Sequence, residues 1–72
     1  MKNFNYYVTA CRSTGEPLYF CTSATQGASM IPFAHSMAHR FSSIKSAREI
    51  IAKSQGKWKG LQGWKTNREL AA

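Results

Sequence analysis

Phe4-Asn5-Tyr6-Tyr7-Val8-Thr9-Ala10-Cys11-Arg12, then Ser13-Thr14-Gly15-Glu16-Pro17, then Leu18-Tyr19-Phe20-Cys21-Thr22-Ser23-Ala24-Thr25, is the stretch that decides the fold. The first block is rich in aromatic and β-branched residues and lacks glycine and proline, as a strand should. The second is turn chemistry, with Gly15 supplying a positive φ and Pro17 fixing its own. The third returns as a second strand, so the N-terminal third reads as an antiparallel β-hairpin. With Glu16 at the centre of the turn, Cys11 faces Cys21, and Val8, Ala10, Phe20 and Ala24 share one face. That face is the core side, with Phe4, Tyr6 and Leu18. Five turn residues leave the register open, and a slip of one residue puts Tyr19 and Cys21 inside instead.

Outward from the hairpin, Gln26-Gly27-Ala28-Ser29 reads as a loop. Met30, Phe33, Ala34, Met37, Ala38 and Phe41 then fall on one helical stripe. They predict a short helix near Phe33–Phe41, with Pro32 in its first turn, where a missing N–H does no harm. Ser42 and Ser43 break the pattern and offer an N-cap for a main amphipathic helix over Ile44–Gln55, which buries Ile44, Ala47, Ile50 and Ile51, with Ser54 on the same stripe. Ser46-Ala47-Arg48-Glu49 also fits a capping box, which would start that helix three residues later. Gly56 is placed to stop it. In Lys57–Arg68, Trp58, Gly60, Gln62 and Trp64 share a parity, so a third strand would put both indoles on one face. The other reading is a loop that closes over the core with one Trp anchored. The expected architecture is α+β in a single small domain over residues 1–72, made of the N-terminal hairpin, the short helix, the main helix and a C-terminal third strand carrying Trp58 or Trp64, with Val8, Phe20, Met37, Phe41, Ile44, Ile50 and Ile51 buried.

Composition narrows the chemistry. The chain has 72 residues, 43% of them hydrophobic, and nine aromatics, enough for a core and too apolar for disorder. A chain this short buries only about 60% of the surface its unfolded form exposes, so its stability margin is thin. Ten Lys and Arg face three acids, Glu16, Glu49 and Glu69, for a net charge of +7, and there is no Asp. Carboxylate dyads, carboxylate metal cages and Asp-oriented triads cannot be built from that set. No run of eighteen apolar residues exists to span a membrane. The helix Ile44–Gln55 is basic, but its apolar stripe is too narrow to lie on a membrane surface. Met1 to Tyr6 lacks the apolar core of an export signal, and two cysteines without such a signal read as reduced thiols in the cytoplasm.

Cys11, Cys21, His35 and His39 follow the order of a two-Cys, two-His zinc finger, with His-x3-His on a helix. Nine residues separate the cysteines, however, where a zinc knuckle needs two to four. His35 and His39 also lie about 40° apart on the helical wheel, at the edge of the polar face. Two buried thiols and two surface imidazoles are the expectation, with no metal and no cofactor. Neither cysteine carries a local catalytic signature, and Gly56, Gly60 and Gly63 have the wrong spacing for a dinucleotide loop. An enzyme is not expected.

The charge is uneven: residues 35–72 hold eight bases and two acids, a net of +6, against +1 for residues 1–34. Lys53, Lys57, Trp58, Lys59, Trp64, Lys65 and Arg68 are the candidate binding residues, the cations for phosphates or an acidic surface and the indoles for stacking on an unpaired base. Five phosphate contacts on a duplex would give a log–log salt slope of about −4. The plainer reading has at least one indole in the core and lysines that keep a strand edge soluble.

Asn5-Tyr6-Tyr7-Val8-Thr9, the short Gly turn, and the passage Ala38-His39-Arg40-Phe41-Ser42-Ser43-Ile44-Lys45-Ser46-Ala47-Arg48-Glu49-Ile50-Ile51, of the form A-x-x-F-x-S-x-x-x-A-x-x-I, resemble small accessory proteins of phages and mobile elements. The resemblance covers about a third of the chain and implies a host-takeover or anti-defence inhibitor of the anti-CRISPR type, acting in the host cytoplasm. What it implies is stoichiometric occlusion of a host or defence complex, without chemistry. Inhibitors that mimic DNA are acidic, so a chain of +7 is not a duplex mimic. A basic inhibitor docks instead on an acidic protein surface or on exposed guide or template nucleic acid. The alternative expectation is a small regulator that binds RNA or DNA through the C-terminal Lys/Trp face.

Overall fold

Residues 3–25 and 27–71 are described by the computed structural model; Lys2 and Gln26, counted in the charge and loop readings above, lie outside them. The hairpin is formed by β1 (Phe4–Cys11) and β2 (Pro17–Ser23). Its tip is tighter than expected. Arg12 N–H donates to the Glu16 carbonyl at 3.0 Å, and Gly15 N–H to the Arg12 carbonyl at 2.8 Å. With Gly15 at φ +92°, the tip shrinks to Ser13-Thr14-Gly15, the three-residue closure that a left-handed glycine permits. Thr14, not Glu16, is therefore at the centre, and Cys11 lies opposite Pro17 rather than Cys21. The displacement is even-numbered, so the faces survive: Val8, Ala10, Leu18 and Phe20 are all buried. Ala24 falls in the next turn and is exposed.

Residues 27–32, read as a loop and the entry to a helix, form a third strand, β3 (Gly27–Pro32), paired antiparallel with β2 through Phe20–Met30 and Tyr19–Ile31. Pro32 biases Ile31 to extended backbone, and Phe33 at φ +55° blocks helical continuation. Only a single 3-10 turn, His35–Met37, survives of the short helix near Phe33–Phe41. Its apolar stripe splits: Ala34, Ala38 and Phe41 are buried, whereas Phe33 is 90% and Met37 67% exposed. Met37 is thus not a core residue.

The β1–β2 ladder spans only Cys11–Pro17 to Thr9–Tyr19, and beyond it the strands splay. The chain after the 3-10 turn fills that gap. His39 N–H donates to the Phe20 carbonyl at 2.9 Å, and Phe41 and Tyr6 exchange both backbone bonds at 2.7 and 2.9 Å. This crossing segment satisfies main-chain groups that the splay would otherwise orphan. It also carries the chain from the Tyr7–Tyr19 face of the sheet, where His35 lies, to the Phe20 face, where Phe41 packs.

Helix α1 (Ile44–Lys57) starts where expected: the Ser43 hydroxyl accepts from Ser46 N–H at 3.2 Å. The alternative box at Ser46 is not used. Gly56 does not stop the helix; it lies inside it, and Trp58 is the cap, its N–H donating to the Ser54 carbonyl at 2.8 Å. Ala47 is fully buried, and so small a residue at the contact lets the helix approach the sheet closely. Ile50 and Ile51 are then only half-buried beside it, and Ile44, at the first helical position, is exposed.

The C-terminal strand is present as β4 (Gln62–Leu70), antiparallel to β1 along nearly its whole length. A bulge falls between the Thr9–Lys65 and Cys11–Gln62 pairs, and Gly63 at φ +65° takes the left-handed position there. Trp58 is not on this strand, since it caps α1. The result is α+β: a four-stranded antiparallel sheet in the order β3-β2-β1-β4, with one helix inserted before the last strand. Val8, Phe20, Phe41 and Ala47 form the buried centre, and Tyr6, Met30, Ile50, Ile51, Trp58 and Trp64 pack around it.

Candidate interaction surface

The seven residues singled out in the C-terminal half do not form one patch. Lys53 and Lys57 are one turn apart on α1, and Lys57 Nζ lies 4.7 Å from the centre of the Trp58 ring, within cation–π reach. These three border a cleft of about 140 Å³, completed by Phe20, Ala28, Ile50 and Ser54. Lys59 is exposed in the turn that follows. Lys65 is opposite Thr9 and so projects from the far face of the sheet. Arg68 sits 4.5 Å over the Phe4 ring, toward the other end of β4.

The indoles are packing residues first. Trp58 and Trp64 lie 6.4 Å apart at 34°, and Trp58 meets Phe20 edge-on at 6.3 Å. Both are half-buried against the core, so neither offers the two free ring faces of a base-stacking platform.

Lys45 and Arg48, which the sequence reading did not single out, are exposed on α1 together with Lys53 and Lys57. Their signal lay in the helical periodicity: placing Ala47, Ile51 and Ser54 inward turns these cations outward. Among the described residues none of Lys45, Arg48, Lys53, Lys57 or Lys59 has a carboxylate within ion-pairing distance: two of the three acids are engaged elsewhere, and Glu49, one turn from Lys45 and from Lys53, pairs with neither. Glu16 pairs with Arg12 at 3.3 Å, and Glu69 pairs with Arg40. Only Glu49 shares α1 with them.

On the far face of the sheet Tyr7 and Tyr19 stack at 6.1 Å, and the His35 ring stands edge-on to both. Arg40 lies 4.8 Å over Tyr7 and donates to Glu69 and to the carbonyls of Ala38 and His35. His35 Nε2 is 3.7 Å from the same carboxylate. This cluster fastens the crossing segment down.

The four groups of the zinc-like order are dispersed. Cys11 is half-buried at the end of β1, Cys21 is buried on β2, and exposed His39 bonds Thr22 Oγ1 at 3.2 Å while exposed His35 faces Glu69. Among the described residues no group of three or more His, Cys, Asp or Glu side chains is arranged to hold a metal. Burial pushes the Cys21 thiol above its ordinary pKa, with Arg40 opposing in part, and its Sγ–H donates to the Tyr19 carbonyl at 3.4 Å. A buried thiol that holds its proton this way is a poor nucleophile. Among the described residues no helix is long and apolar enough to cross a membrane. Comparison with known proteins finds no family model that matches the chain, no similar curated protein and no similar solved structure.

Proposed function

We propose that the protein is a binding protein without catalytic chemistry, which occludes an acidic protein surface on a host or defence complex, as small phage accessory proteins of the anti-CRISPR type do. The observation that carries this reading is the exposed face of α1 and the turn after it. Lys45, Lys53 and Lys57 stand there within about 120° of the helical wheel with Glu49 as the one acid among them, Arg48 is exposed on the flank opposite Lys57, and Lys59 follows in the turn. Unpaired cations on one rigid helix steer and orient an acidic partner, and they cost little to desolvate at a wet rim. The half-buried indoles argue for a protein over an unpaired nucleic acid, since the aromatic component of single-strand binding is committed to the core.

The reading is tested by capture on the immobilised protein from nuclease-treated extract of the host, beside direct titration with labelled single-stranded and duplex oligonucleotides over a salt series. A discrete protein retained at moderate salt, with oligonucleotide binding weak and unselective, is the expected result. Recovery of nucleic acid alone, lost as salt rises, would overturn it in favour of a nucleic-acid-binding regulator.

A further inference from the structure

The two edges of the sheet are built differently. β4 carries Lys65, Arg68 and Glu69, the charges that natural sheets use to discourage further pairing. β3 carries no charged residue at all: Gly27-Ala28-Ser29-Met30-Ile31-Pro32. Its pairing fixes what the open side presents. The Phe20 carbonyl points toward β1, where it accepts from His39 N–H. By alternation Tyr19 and Cys21 bond their partners Ile31 and Ser29, so Ala28 and Met30 turn their N–H and C=O groups outward. The side chains of Ala28 and Met30 lie on the helix face of the sheet. Ala28 is also one wall of the 140 Å³ cleft, whose rim is Lys53, Lys57 and Trp58.

We propose that the edge of β3 and this cleft take an extended acidic segment of a partner protein as a fifth strand. The backbone of that segment pairs with Ala28 and Met30. One of its apolar side chains enters the cleft, and its carboxylates meet Lys53 and Lys57. The inference rests on the acidic-partner reading above and specifies the form in which the partner binds. Strand addition draws affinity from main-chain bonds and selectivity from pockets for alternate side chains. An opening of this size suits one benzene-sized or branched aliphatic group. Charge decides the sign of the occupant: Lys53 and Lys57 have no carboxylate partner among the described residues, and a second copy would bring its own lysines to the same seam.

The probe is a pool of blocked heptapeptides that alternate Glu with Val, Leu, Ile or Phe, set against a pool with Lys in place of Glu. Binding is followed by backbone amide spectra and amide exchange of the isotope-labelled protein. The expected result is slowed exchange at Ala28 and Met30 with the acidic pool alone, and a loss of about tenfold in affinity for Lys53→Gln/Lys57→Gln. Met30→Pro removes one outward N–H without touching the β2 ladder and should abolish binding, whereas Met30→Ala, which loses the same core packing but keeps the N–H, should still bind. Shifts at Lys53 and Lys57 without protection of Ala28 and Met30 would overturn strand addition and leave the acidic-partner reading intact. No effect from any acidic peptide at millimolar concentration would overturn the inference, and the capture experiment then judges the broader reading separately. Protection that grows with protein concentration in the absence of peptide would give the edge to a second copy and overturn it as well.

Discussion

Arg40 and Glu69, twenty-nine positions apart in sequence, meet on the far face of the sheet and tie the crossing segment to the last strand. The same guanidinium closes the Ala38 and His35 carbonyls at 2.7 and 3.0 Å and lies over Tyr7.

Removing that clasp should destabilise the fold. Arg40→Ala deletes charge-assisted bonds to groups that are only partly exposed, a loss of about 1–3 kcal/mol. Arg40→Lys should recover only part of it, because an ammonium cannot reproduce a planar fork that serves three acceptors at once. Urea unfolding of the three proteins measures both statements.

The split apolar stripe makes a second pair of expectations. Phe41 packs against Phe20 in the buried cluster that also holds Val8 and Ala47, so Phe41→Ala should cost about 3–5 kcal/mol. Phe33, eight residues earlier on the same sequence stripe, is 90% exposed at φ +55°. Phe33→Gly should leave stability unchanged or raise it by about 1 kcal/mol, because glycine meets no Cβ penalty in the left-handed region. Equal losses for the two variants would mean that the helical reading of residues 33–41 was the correct one.

Those two phenylalanines also show what the sequence made legible. Helix α1 could be read because Ser43 supplies a cap and Ala47, Ile50, Ile51 and Ser54 repeat at helical spacing. The inward face of the hairpin could be read because strand parity is insensitive to an even shift in register. The register itself could not, since five turn residues permit several closures and only the Arg12–Glu16 bond selects among them. β3 was hidden because the spacing from Met30 to Phe41 fits a helix, while its pairing with β2 is a long-range gain that no local pattern records. The crossing segment was hidden for the same reason, since it exists to fill a splay between two other strands. Of the candidate surface, Lys53, Lys57 and Trp58 were legible from charge and composition. Ala28 and the open strand edge beside them were not.

Thiol chemistry offers a third test. Cys11 is half-buried and Cys21 buried, so a thiol reagent should label Cys11 first and Cys21 only with opening of the fold. Burial raises the Cys21 pKa, so the folded chain holds that proton more tightly than the unfolded one. Its contribution to stability is present below the ordinary thiol pKa and is lost as pH rises from there toward the raised value. Cys21→Ala should therefore flatten the alkaline arm of a plot of stability against pH, measured beside the unmodified protein.

The cap of α1 should behave as an independent unit. Ser43→Ala removes the acceptor for Ser46 N–H and should cost about 1 kcal/mol, whereas Ser43→Asp should restore the bond. Thermal midpoints of the two variants separate a lost cap from a merely altered surface.

The central claim is that the basic face of α1 meets an acidic protein, and it is tested most directly by comparing two charge reversals in one capture experiment. Lys53→Glu/Lys57→Glu changes that face, while Lys65→Glu/Arg68→Glu makes the same change in net charge on β4. Retention of the protein partner by the β4 variant and its loss from the α1 variant, with both proteins folded, is the predicted result. Equal loss from both would reduce the interaction to net charge, and retention by the α1 variant would contradict the account.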